Sequence, residues 1–167
     1  MGLERIWAGW RMPYMRQAAE RDGGELPCVF CQILASDEGD EATYVVWRGR
    51  LCFAVLNAFP YTSGHMMVVP YRHVGDPTEL TSEEAAEIWS ASMDAIRALQ
   101  AAYRPDGLNL GVNLGRAAGA GVTGHFHLHV LGRWTGDANF VASVAEARVL
   151  PEALPVTWER LKAAWPS

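Results

Sequence analysis

Histidine occupies the alternate positions 125, 127 and 129 of the segment Gly124-His-Phe-His-Leu-His-Val-Leu-Gly132. A β-strand sends successive side chains to opposite faces, so a strand here sets His125, His127 and His129 on one surface and Phe126, Leu128 and Val130 on the other. Imidazole packs poorly but carries protons, attacks electrophiles and binds metals well. Three of the chain's five histidines fall in this stretch. A single histidine in a strand is usually a surface or satisfied core residue; three in strict alternation point to a face with chemistry on it.

The surrounding sequence supplies the rest of a sheet and a helix to back it. Cys28 to Leu34 is expected to form a short helix, closed by the polar run Ser36-Asp-Glu-Gly-Asp40. Thr43 to Trp47 and Leu51 to Leu56 read as strands joined by the tight turn Arg48-Gly-Arg50, with Gly64 to Pro70 as a third strand. Thr81-Ser-Glu-Glu84 has the spacing of a capping box. Behind it Ala85, Ile88, Ala95, Ile96, Leu99 and Tyr103, with Ser92 on the same stripe, recur at helical spacing until Pro105. Asn109 to Leu114 is expected as the fourth strand, the histidine segment as the fifth, and Val156 to Ala164 as a short C-terminal helix. The fold class is α+β, an antiparallel sheet of about five strands with one long helix packed on it.

A formal charge of −5 and a pI near 5.5 argue against a nucleic-acid binder, which needs a basic face. They leave room for a small phosphorylated ligand held by local donors. No apolar run reaches the roughly 20 residues that span a bilayer. The start of the chain lacks the layout of a secretory signal, and Ile6 breaks the myristoylation pattern. Three cysteines, an odd count, do not suggest a disulfide scaffold. The expectation is a cytoplasmic protein with neither a nucleic-acid nor a membrane partner.

Two chemistries suit a row of imidazoles. A zinc site built from all three is one, but catalytic metal sites usually recruit a carboxylate, and no Asp or Glu lies between Asp106 and Asp137. Nucleophilic catalysis is the other. A neutral imidazole attacks phosphorus when its second nitrogen donates a hydrogen bond that fixes the tautomer, and a neighbouring histidine protonates the leaving group. Gly115, Gly119, Gly121 and Gly124 precede the row. A glycine-rich loop is commonly a plain connector; directly before three histidines it reads as a backbone cradle for phosphate.

The segment His125-Phe-His-Leu-His-Val-Leu131 resembles the signature of the histidine triad (HIT) family of nucleotide hydrolases and transferases. Leu56-Asn-Ala-Phe-Pro-Tyr-Thr-Ser-Gly-His-Met-Met-Val-Val-Pro-Tyr-Arg-His-Val74 resembles that family's upstream block. Asn109-Leu-Gly-Val-Asn-Leu-Gly115 and Gly136-Asp-Ala-Asn-Phe140, with Trp7 to Tyr14, are similar to the bacterial branch close to diadenosine tetraphosphate (Ap4A) phosphorylases. The resemblance implies one HIT domain over 1–167, with a core over 28–140, an N-terminal arm over 1–27 and a C-terminal extension over 141–167. Trp7, Trp10, Met12, Tyr14 and Met15 make that arm too apolar for a free tail.

The resemblance further implies that His127 becomes nucleotidylated, that His129 stands near the leaving group and that His65 supports it. It assigns Asn57 to the ribose hydroxyls, and Asn113 with the backbone of Gly121 and Val122 to phosphate. Many relatives carry Gln and then Ser or Thr before the first histidine. Gly121-Val122 removes those side-chain donors, which leaves substrate preference open. Read without the resemblance, Asn57 is a turn residue before Pro60, Asn113 a strand-end cap and His65 a packed strand residue.

Cys28-Val-Phe-Cys31 has the spacing of a zinc half-site, although two such cysteines on a short helix can also be core residues. His73 and His125 complete a two-sulfur, two-nitrogen set suited to structural Zn2+. The arrangement resembles some bacterial members of the family and the related hexose-phosphate uridylyltransferases, where the first histidine of the row is a metal ligand. Cys52 is expected to be a buried apolar residue. The expected activity is cleavage at the α-phosphate of adenosine nucleotides, Ap4A-type dinucleoside polyphosphates or AMP phosphoramidates, by a homodimer that needs no catalytic cofactor. The alternatives are a zinc-dependent hydrolase using the triad as ligands and a non-catalytic nucleotide-binding regulatory module.

Overall fold

A computed structural model describes residues 28–137 and 152–166. The arm over 1–27, residues 138–140 of the Gly136 block and the first part of the C-terminal extension lie outside the described residues.

Two strands with every residue buried decide how the layers stack. Cys52–Leu56 (β2) and Met66–Pro70 (β3) are buried along their whole length, so both faces of each must be covered. Alternation sends Cys52, Leu56, Met66 and Val68 to one side and Phe53, Val55, Met67 and Val69 to the other. The first set packs on the long helix Ser82–Tyr103, and the second on Phe30 of the short helix Val29–Ala35 (α1). With Val45–Arg48 (β1), Gly107–Gly111 (β4) and Leu128–Arg133 (β5), the strands form one antiparallel sheet in the order β1-β2-β3-β5-β4. The α+β expectation of five strands, one long helix and a short C-terminal helix is what the chain forms.

The histidine strand and its partner depart from expectation together. Only Leu128–Arg133 is strand, and His125 and His127 precede it. β3 pairs with β5 from Met66–Val130 to Val68–Leu128; two positions further that register would set Phe126 against Pro70, which has no N–H to give. The Phe126 N–H goes instead to the Val74 carbonyl at 2.6 Å. β4 matches β5 from Gly107–Arg133 to Gly111–His129, so it ends at Gly111 rather than running over Asn109 to Leu114.

Smaller shifts have local causes. Gly39–Ala42 (α2) is a single helical turn that begins within the stretch read as a terminator and runs past it, entered through Gly39 at φ +82°. Thr43 caps that turn, and Tyr44 takes a left-handed φ of +56°, so β1 starts at Val45 rather than Thr43.

The long helix (α3) opens with the expected box: Thr81 Oγ1 accepts from the Glu84 N–H at 3.1 Å, and Glu84 Oε2 accepts from the Thr81 N–H at 2.8 Å. Its buried stripe is Glu84, Ile88, Ala91, Ser92, Ala95, Ala98 and Leu99. Ala85 is exposed, contrary to expectation. Glu84 takes the inward place because its carboxylate holds the Arg72 guanidinium through both oxygens, at 3.0 and 2.8 Å. That pair ties the start of α3 to the turn carrying His73. The C-terminal helix, Leu154–Ala164 (α4), begins earlier than Val156 because Pro155 fits its first turn. It buries Leu161 and donates Trp158 Nε1–H to the Val45 carbonyl at 2.9 Å. No helix among the described residues is long and apolar enough to cross a membrane.

The Arg72 hydrogen bonds, then the Thr81 N–H, pull the Glu84 carboxyl from an ordinary 4.5 to about 2. A folded value below the unfolded one gives stability that is complete above about pH 4.5 and is withdrawn as pH falls toward 2. Glu84→Gln is therefore expected to cost about 1–2 kcal/mol at pH 7. In urea melts the gap to wild type should narrow steadily below pH 4.5; an equal gap at acid and neutral pH would refute the account.

Candidate functional site

Parity along β3 puts Met67 and Val69 on the α1 side of the sheet, and with them His65 just before the strand; His129 is the register partner of Met67. The face that carries Phe30 therefore also carries the imidazoles. His65, His125, His127 and His129 are each at most 8% exposed, and Phe126 lies on the opposite side with Ile88 and Ala91. The expected two-faced pattern holds across 125–130, although the first half of it is not strand.

Each buried ring is committed to a particular tautomer by its partners. His127 Nδ1 lies 2.8 Å from the carbonyl of His125. A carbonyl only accepts, so Nδ1 carries the proton and Nε2 keeps its lone pair. Burial pushes the His127 ring below the ordinary histidine range, and the bond to the carbonyl opposes that only in part. The result is a neutral imidazole whose Nε2 lone pair is unprotonated.

His65 Nδ1 accepts the Tyr61 backbone N–H at 3.0 Å, so its proton sits on Nε2. That Nε2 is 2.9 Å from His129 Nδ1, which must accept. The proton of a neutral His129 then lies on Nε2. The His127 and His129 rings meet edge to face with centroids 4.9 Å apart. One imidazole offers a lone pair and its neighbour an N–H donor, a pairing able to attack an electrophile and to hydrogen-bond what departs.

His125 differs from both. Its Nε2–H donates to the Pro70 carbonyl at 2.9 Å, and its Nδ1 faces the cysteines, 3.3 Å from Cys28 Sγ and 3.8 Å from Cys31 Sγ. His73 Nδ1 is 3.3 Å from Cys31 Sγ. The four donor atoms lie within 4.8 Å of one another. A tetrahedral ion about 2.0–2.3 Å from nitrogen and sulfur holds neighbouring donors about 3.3–3.8 Å apart, so the set fits such an ion. Burial and then the neighbouring Cys28 sulfur push the Cys31 thiol up; a dication among the sulfurs reverses that repulsion. The triad does not converge on one point as a joint ligand set, because its rings are turned to three different partners.

A cleft of about 320 Å³ opens beside His127, lined among others by Asn113, Gly115, Val122, Gly75 and Asp76. Gly75 lets the wall close in, since a Cβ there would stand 2.8 Å from the Thr123 carbonyl. Among the described residues that line it none is Lys or Arg, and the backbone N–H groups and the Asn113 amide are neutral donors that an anion can meet. Asn113 and Val122 are thus brought to His127, while Gly121 is exposed beside the cleft. Asn57 is not among the lining residues; its Oδ1 accepts from the Phe59 N–H at 2.9 Å and its Nδ2 is 3.4 Å from His65 Nδ1. Cys52 is buried, as expected.

Phe30 is the site residue that sequence reasoning missed. It lies inside the Cys28–Cys31 turn and packs on both His125 and His127, with centroids at 5.3 and 5.2 Å. An aromatic between two spaced cysteines was the available signal.

Known proteins resemble this chain in sequence and in fold. A family model described as HIT domain matches residues 38–136. The chain is 40% identical over 169 aligned residues to a protein of Mycobacterium tuberculosis named AP-4-A phosphorylase, covering 98% of this chain and 85% of that one. A Zn-bound histidine triad family protein from Mycobacterium smegmatis superposes with a TM-score of 0.67 at 28% identity, over 84% of this chain and 94% of the other. A hypothetical histidine triad nucleotide-binding protein of Sulfolobus tokodaii gives 0.67 at 26% identity, over 82% and 91%.

Because Phe30 is 2% exposed and bears on both rings, Phe30→Ala is expected to cost about 3–4 kcal/mol in denaturant unfolding. A loss under about 1 kcal/mol would mean that the rings are held without it.

Proposed function

The chain belongs to the histidine triad (HIT) family, and we propose on that footing that it cleaves adenosine nucleotides at the α-phosphate through a nucleotidyl-histidine. The observation that carries this reading is His127, neutral, with Nδ1–H bound to a carbonyl and its ring at the wall of the cleft. In the first step His127 Nε2 attacks the α-phosphorus. A P–N bond forms, the bond to the leaving group breaks, and the His129 Nε2–H hydrogen-bonds the departing atom, which takes its proton from solvent where it needs one. In the second step water or inorganic phosphate displaces His127 and releases a nucleoside monophosphate or diphosphate. Asn113 and the backbone beside Val122 hold the phosphate.

The named activity of the M. tuberculosis relative supports an Ap4A-type substrate and phosphate as the second acceptor. Incubation with Ap4A and phosphate then yields ADP and ATP, whereas hydrolysis yields AMP and ATP. His127→Ala should lower turnover by at least about a thousandfold. Wild-type turnover in that variant, or wild type that binds AMP without ever carrying a labelled nucleotide after denaturing quench, would eliminate the mechanism.

Cys28, Cys31, His73 and His125 hold a structural Zn2+, supported by their donor spacing and by the Zn-bound relative. The ion pins the N-terminal turn to His125, whose carbonyl orients His127. One zinc per chain is expected by elemental analysis. Cys28→Ser should lose it and lower the melting temperature, while His127→Ala keeps it. Loss of zinc in the His127 variant would favour the triad as ligands instead. The protein acts as a cytoplasmic homodimer on this reading. β4 is an edge of the sheet, its residues are largely exposed, and Trp89 on α3 is 59% exposed.

A further inference from the structure

The chain around Gly75 meets the loop before His125 at three successive places. The Val74 carbonyl accepts the Phe126 N–H at 2.6 Å. A Cβ on Gly75 would stand 2.8 Å from the Thr123 carbonyl oxygen and 3.1 Å from both Cα and the carbonyl carbon of Gly124. A Cβ on Gly124 would stand 3.4 Å from His73 Nε2, an ordinary contact. The middle approach is closer than any side chain permits, and the atoms it meets are backbone, which cannot swing aside as a side-chain tip can. The φ of Gly75 lies outside the left-handed region. Its small size is therefore required by space and not by its own dihedrals.

Of the two segments in contact, residues 72–76 are held at both ends. Arg72 is forked onto Glu84 of α3 at 3.0 and 2.8 Å and reaches the Glu79 carbonyl at 2.7 Å. Val74 is buried, and Asp76 Oδ1 accepts the Thr78 N–H and hydroxyl at 2.8 and 2.7 Å. On the other side Gly121, Thr123 and Gly124 are exposed. Pressed apart, the loop yields and the anchored segment stays.

We infer that Gly75 is a positioning residue that sets where the Val122–Gly124 backbone stands beside His127, a role that rests on the proposed hold of this backbone on phosphate. Both Val122 and Thr123 line the cleft with His127. Their N–H groups are neutral and directional, so they weaken steeply when moved or bent away from an acceptor. No Lys or Arg among the described lining residues makes up the loss. A methyl at position 75 displaces the loop, and the phosphate loses donors that the nucleoside never used.

The test titrates AMP and adenosine into wild type and Gly75→Ala by calorimetry. The two ligands share the nucleoside and differ in the phosphate. Gly75→Ala should weaken AMP by about 10-fold or more, the worth of one hydrogen bond to a charged group. Adenosine should weaken by no more than about twofold. A glycine that served folding alone would lower the melting temperature and leave the ratio of the two affinities unchanged; that ratio, kept at its wild-type value, overturns the inference. A second arm needs only wild type, and so stands even where alanine at 75 prevents folding. In hydrogen exchange the Phe126 N–H should be protected as strongly as the β3 amides, with or without AMP. Exchange as fast as that of the exposed Thr123 amide means that residues 72–76 do not hold the loop, and overturns the inference too. Absence of nucleotidyl-His127 in quenched wild type overturns the proposed function instead, and leaves the comparison of AMP with adenosine intact.

Discussion

Pro70 lacks a backbone hydrogen, and the site is arranged around that missing donor. The β3–β5 ladder stops at Val68–Leu128, so the backbone over 125–127 leaves the sheet and its imidazoles make bonds of their own. His125 turns its Nε2–H to the Pro70 carbonyl, and its own carbonyl takes the Nδ1–H of His127. Had pairing continued, the sheet would have claimed these carbonyls. One proline thus converts the end of a strand into a scaffold on which His125 and His127 face different partners.

Burial serves that division. A buried polar group is costly unless it is hydrogen-bonded, and each buried imidazole described here has its partner in a carbonyl, a backbone N–H or another ring. The same burial disfavours the charged ring, which suits a nucleophile whose lone pair must be available near neutral pH. Stability and reactivity are therefore met by one arrangement rather than traded against each other. Phe30 contributes to both, since it covers the rings and belongs to the turn that carries the cysteines.

Much of this was legible from residue types. The capping box at Thr81 and Glu84, the apolar runs of β2 and β3 and the two faces of the histidine segment all follow from local periodicity, which packing then respects. The association of Cys28 and Cys31 with His73 and His125 was also readable, because the donor set is chemically distinctive. What escaped reading depends on backbone groups. The Tyr61 N–H and the Pro70 carbonyl exist at every residue and leave no mark in a side-chain pattern. Ala85 was assigned to the core on spacing alone; Glu84 displaced it through a partner, Arg72, that lies outside the helix. Asn57 fits a turn by type, and only its orientation reveals that its amide reaches His65.

The chain distances spanned by the site carry a consequence for how it comes into being. His65 and His129 are 64 positions apart, and Cys28 and His125 are 97. Neither half exists in any short fragment, and closing loops of this length costs entropy that only the finished core repays. The imidazole face therefore exists only where β3 and β5 are paired, and a chain in which they are apart carries the same histidines without their arrangement.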